Sequence, residues 1–70
     1  MKITARNQLL GKVTAITLGP INAEVTLELA GGLQITSIVT RHAVESLQLE
    51  VGKTACALIK ASNVMLGVEE

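Results

Sequence analysis

The chain has 70 residues, no aromatic residue, one cysteine, and six basic against six acidic residues. That length allows one small domain, and the single Cys56 excludes an internal disulfide. Zero formal charge argues against a general DNA or RNA binder with a basic face, while 49% hydrophobic and 17% charged residues exclude a disordered chain.

The opening segment, Met1 to Gln8, is polar apart from Ile3 and carries Thr4 and Arg6. On its own it reads as a flexible terminus with a solvated arginine. Leu9 to Leu18 follows as a predicted strand. Its alternation changes face near Gly11 or Ala15, which predicts a bulge or a strong bend. Gly19-Pro20 marks a turn. The clearest strand comes next, with Ile21, Ala23, Val25, Leu27 and Leu29 on one face and Asn22, Glu24, Thr26 and Glu28 on the other. Ala30-Gly31-Gly32 turns the chain, and Leu33, Ile35, Ser37 and Val39 continue as the hairpin partner. Thr40 is suited to cap a short helix over Arg41 to Leu47, with Val44 and Leu47 facing the core. Gly52 supplies a tight turn before a fourth strand, Thr54 to Lys60. A fifth spans Val64 to Val68.

This order predicts an all-β fold: a five-stranded barrel of the oligonucleotide/oligosaccharide-binding (OB) kind, with one short helix between strands three and four. Residues 1–70 then form a single domain. The fourth strand is apolar on both faces, with Cys56 and Leu58 on one and Ala55, Ala57 and Ile59 on the other. A lone small barrel would leave one of these faces wet, so the pattern predicts contact with another subunit. Size points the same way: a domain this small buries only about 60% of its unfolded surface and needs a staple or a partner. No apolar run approaches about 20 residues, so no membrane span is expected. The N-terminus lacks the apolar core of a signal peptide, and one unpaired cysteine suits a reducing cytoplasm.

OB barrels that bind single-stranded nucleic acid stack bases on aromatic platforms, and this chain has none. Enzymatic readings find no support either. His42 is the only histidine and has no evident nucleophile beside it; Cys56 sits inside an apolar strand; Gly31-Gly32 lacks the residues of a phosphate loop. What remains is a set of hydrogen-bond donors: Thr4, Arg6, Thr40, Lys60 and Ser62. Lys60 and Ser62 stand at a corner between two apolar segments, where an ammonium, a hydroxyl and turn amides suit an oxyanion. Two cations balance a dianion. The commoner reading of the same corner is a solvated lysine and ordinary turn chemistry at Ser62-Asn63.

Four segments together carry a resemblance: Thr4-Ala5-Arg6-Asn7-Gln8, Gly19-Pro20-Ile21-Asn22-Ala23-Glu24-Val25, Ile35-Thr36-Ser37-Ile38-Val39-Thr40 and Ile59-Lys60-Ala61-Ser62-Asn63-Val64. In order and spacing they resemble the molbindins, small cytoplasmic molybdate- and tungstate-binding proteins built from a single Mop domain. The resemblance spans nearly the whole chain. It implies an OB-type barrel that assembles as a homo-hexamer, a trimer of dimers, and binds molybdate or tungstate between subunits. It implies storage or buffering of molybdenum. The residues themselves lead us to expect no catalysis, and no nucleic acid or membrane as partners. By resemblance, Thr4, Ala5 and Arg6 donate to the anion, and Lys60, Ala61 and Ser62 do so from the other end of the chain. Thr40 would come from a neighbouring subunit. Related domains often carry a hydroxyl three residues later; here that position is Ala43, leaving either a backbone amide or no contact. The alternatives are an OB-fold nucleic-acid-binding module and a ligand-free assembly domain.

Overall fold

In the computed structural model, which describes residues 1–69, the elements run β1 (Asn7–Leu18), β2 (Asn22–Leu29), β3 (Gln34–Thr40), α1 (Arg41–Ser46) and β4 (Thr54–Ile59). Short 3-10 turns occupy Ala30–Gly32 and Ala61–Asn63. The strands pair antiparallel in the order β3-β2-β1-β4. β1 holds the sheet together. Its first half, Asn7 to Lys12, pairs with β4, and Gly11 to Leu18 pairs with β2.

The sheet curls where β1 changes partner. Val13 pairs with Leu27, yet Ala15 pairs with Thr26, so Thr14 is an extra residue. This is the predicted bulge. It resets the alternation, so that Val13 before it and Ile16 after it both face inward opposite Leu27 and Val25. Thr14 Oγ1 donates to the Thr26 carbonyl at 3.4 Å across the irregularity. Gly11 lies just before it, where a Cβ would stand 2.9 Å from the Glu28 carbonyl oxygen. Only glycine admits the strands so closely.

The core follows the hairpin pattern. Ala23, Val25 and Leu27 of β2 are buried with Val13 and Val44, and Ile16, Ile35, Val39, Leu49, Ala55 and Ala57 pack around them. Gly31 at φ 84° and Gly32 at φ 82° make the predicted turn. Thr40 caps α1 as expected, its Oγ1 accepting from Ala43 N at 3.0 Å. At the other end of α1, Lys53 Nζ donates to the Leu47 and Gln48 carbonyls, each at 3.0 Å. A cation here satisfies carbonyls that the helix leaves open.

Several expectations are corrected. Among the described residues the sheet has four strands, not five: Val64 to Val68 is exposed and pairs with none of them. Consequently the barrel is not closed, and β3 and β4 are its two edges. Periodicity marks a segment as strand-like, but a strand also needs a neighbour to receive its N–H and C=O groups. Ile21 precedes β2 and is 74% exposed, because the Gly19-Pro20 turn is still closing there through Gly19 N to Asn22 O. Leu47 ends α1 at 62% exposure and lies beside an open groove, not in the core.

These features leave the chain extended. It measures 40 × 26 × 22 Å with a radius of gyration of 13.1 Å, against about 11 Å for a compact domain of this length. Its accessible surface is 5702 Å², whereas a compact monomer of 7.3 kDa exposes about 4,200 Å².

Candidate functional site

The β1–β4 register brings the two ends of the chain together. Asn7 pairs with Ile59, the last pair before both strands stop. Arg6 is the residue before Asn7, and Lys60 is the residue after Ile59. In an antiparallel pair the next position along faces its opposite number, so Arg6 and Lys60 are the residues at which the two strands leave the sheet. The junction is tied by Asn7 Nδ2, which donates to the Ile59 carbonyl at 3.1 Å.

Beyond Ile59 the chain enters the turn Ala61–Asn63. Its first bonded amide is Asn63 N, donating to Lys60 O at 2.9 Å, followed by Val64 N to Ala61 O at 3.3 Å. The amides of Ala61 and Ser62 precede that bonding and are donors for an outside acceptor. Arg6, Lys60, Ser62 and Thr4 are exposed, and Ala5 is half-buried. Two like charges side by side repel, and a dianion between them removes that repulsion. Among the described residues no group of three or more His, Cys, Asp or Glu is gathered to hold a metal ion directly. The junction is therefore chemically suited to an oxygen-rich anion.

Thr40 and Ala43 lie elsewhere. Thr40 pairs with Asn22 beyond the other end of β1, where Leu18 pairs with Ala23. The length of β1, on the order of 35 Å of extended chain, separates the two places along the strand. One subunit does not unite all of the sequence-predicted residues. The Ala43 amide is engaged by Thr40 Oγ1, and its methyl adds no donor. Because the Thr40 oxygen accepts that amide, its own O–H points away and remains a donor. Near it, Arg41 Nη1 donates to Gly19 O at 3.3 Å and Arg41 N to Ile21 O at 2.7 Å. His42 shares a 3.4 Å contact with Ser46 Oγ at the surface.

A concavity of the fold is a different feature. It is a groove of about 660 Å³ between the β3 and β4 edges, lined by Val25, Leu27, Ile35, Val39, Leu49 and Ala57 among others. Arg6 and Lys60 are not in its wall. An apolar trough of this kind is a poor anion site and a good seat for an apolar strand. In the sequence Asn7 stands out only as part of a motif. The available signal was a poor strand former placed at the very start of a strand.

The TOBE domain family profile matches residues 3–66. The chain belongs to this family. Among TOBE-domain relatives, it is 55% identical to the "Probable molybdenum-pterin-binding protein" of Haemophilus influenzae over 99% of this chain and all of that protein. In three dimensions it superposes on MopII from Clostridium pasteurianum with a TM-score of 0.90, at 45% identity over 96% of this chain and 100% of that one. It also superposes on ModG, described as a cytoplasmic molybdate-binding protein and seen with molybdate bound, with a TM-score of 0.94 at 55% identity. That match takes in 99% of this chain but 49% of ModG, so this TOBE domain corresponds to about half of it. The fold is thus the OB-like fold of molbindins, and the family is one of molybdenum- and molybdate-binding proteins.

Proposed function

We propose that this chain binds molybdate, and also tungstate, reversibly at the boundaries between its own subunits, and that it stores and buffers molybdenum in the cytoplasm. One observation supports the reading: the Asn7–Ile59 pair ends the β1–β4 ladder, with Arg6 one residue before it and Lys60 one residue after it. Arg6 and Lys60 supply charge. Thr4, Ser62 and the amides of Ala5, Ala61 and Ser62 supply directed donors. Thr40 of a neighbouring subunit supplies its remaining O–H. A site rich in cations and amides favours a fully deprotonated tetrahedral anion, because the O–H of a protonated phosphate would be met only by turning a hydroxyl from donor to acceptor. No step of this function makes or breaks a covalent bond, so the protein acts as a binder and not as an enzyme.

Self-association is part of the proposal. The chain exposes roughly 1,500 Å² more than a compact monomer would, about one partner's share of two standard interfaces. The apolar groove between β3 and β4 lacks a strand, and Val64, Leu66 and Val68 project as an apolar segment without a partner in their own chain. The segment of one copy in the groove of another joins two subunits, and further packing through Leu10 and Leu58 on the outer face gives the hexamer. Residues 1–70 act as one Mop domain in that assembly. No helix among the described residues is long and apolar enough to cross a membrane.

Titration calorimetry with molybdate, tungstate and sulfate, on protein sized by sedimentation, tests the reading. Saturable molybdate binding by the hexamer with weak sulfate binding is expected. Absence of molybdate binding by the assembled protein would end it.

A further inference from the structure

Asn7 occupies a place that its residue type does not explain. It is half-buried at the first position of β1, where asparagine is a poor strand former and a β-branched residue would pair as well. Its side chain crosses to the partner strand, with Nδ2 donating to the Ile59 carbonyl oxygen at 3.1 Å. That carbonyl and the Lys60 amide belong to one planar trans peptide unit, in which O and H point in opposite directions. Holding the oxygen therefore holds the Lys60 N–H and the direction in which the Lys60 side chain leaves the backbone. The restraint is needed here, because β4 is an edge strand and this is its last residue. Unsupported strand ends open at little free-energy cost. Arg6 is covalently next to Asn7, so the same bond fixes both cations relative to each other.

We infer that Asn7 is a positioning residue for oxyanion binding, clamping the Ile59–Lys60 peptide so that Arg6 and Lys60 converge on one guest. This inference rests on the oxyanion reading given above. Asn7 itself need not touch the anion. Leucine at this position would keep the size of the side chain and lose the donor. Aspartate would keep the shape and turn a carboxylate toward both the Ile59 carbonyl and the guest.

The test compares molybdate titrations of the wild-type, Asn7→Leu, Asn7→Asp and Val13→Ala proteins, together with ligand-free melting curves and amide exchange at Lys60. Val13→Ala weakens the core far from the junction and serves as the stability control. The expected result is a loss of about tenfold or more in molybdate affinity for Asn7→Leu, as for other residues that orient a binding group from behind. A larger loss is expected for Asn7→Asp, and faster exchange of the Lys60 amide in both. Val13→Ala, melting at least as low, should bind within about twofold of wild type if position and not stability decides affinity. Wild-type binding with unchanged affinity in Asn7→Leu overturns the inference, as does an equal loss in Val13→Ala. If Asn7→Leu does not fold, Asn7→Ala against Val13→Ala makes the same comparison. No binding by wild type overturns the oxyanion reading instead, so the two failures are distinct.

Discussion

The two ends of β1 differ in how their donors are used. At the far end, by Thr40 and Arg41, the polar groups find partners in their own chain: Ala43 N on Thr40 Oγ1, Arg41 Nη1 on Gly19 O and Arg41 N on Ile21 O. At the near end the backbone is just as firmly paired, through Asn7 and Ile59, but Arg6, Lys60 and Ser62 stand exposed around it. The far end is a helix cap that keeps one hydroxyl proton free. The near end is a paired backbone frame with exposed cations at its edge. Order in the backbone with free donors on top is what preorganised anion binding requires, since little freedom remains to be lost when the guest arrives.

The strongest way to break this contrast is to remove the near-end charge. Arg6→Ala or Lys60→Ala should lower molybdate affinity roughly a hundredfold or more, the usual cost of truncating one partner of a desolvated charge-assisted contact. Calorimetry reads the affinity, and ligand-free melting should stay near wild type because both side chains are exposed. Leu66→Asp puts a charge into the segment proposed to fill the groove. Sedimentation should then show smaller species, and molybdate affinity should fall with the loss of assembly. Gly11→Ala attacks the frame instead, because its Cβ would meet the Glu28 carbonyl oxygen at 2.9 Å. A destabilisation of about 1–3 kcal/mol is expected, read as a lower melting temperature.

The far end should respond least. Thr40→Ala removes the α1 cap and should cost about 1 kcal/mol of stability. It also removes one donor, and Thr40→Ser should restore both properties. A result in which Thr40→Ala lowers the melting temperature and leaves molybdate affinity untouched would confine Thr40 to its capping role. Saturating molybdate gives the reverse check. At a hundredfold excess over the dissociation constant it should stabilise the assembled wild type by about 2.7 kcal/mol, and Lys60→Ala should lose that gain.

Much of the fold is legible in residue order. The β2–β3 hairpin follows from strict alternation at Ala23, Val25 and Leu27 ending in two glycines. The helix at Arg41–Ser46 follows from Thr40 before Val44. The bulge was readable as a change of face within β1, since one inserted residue inverts a period of two. Val64 to Val68 misled for a specific reason. An alternating apolar segment shows that it prefers a sheet, and says nothing about whose sheet.

Local chemistry, then, is what the order of residues determined for this protein: hairpin, bulge, cap, and the inventory of cations and hydroxyls, all set by periods of a few positions and by the shapes of individual side chains. Only the tertiary structure decided that residue 7 pairs with residue 59 while residue 40 pairs at the other end of the sheet, and that among the described residues the sheet stops at four strands with its edges open. Such meetings depend on which strands pair and in which register, a balance of burial and hydrogen bonding over the whole chain that no short window contains.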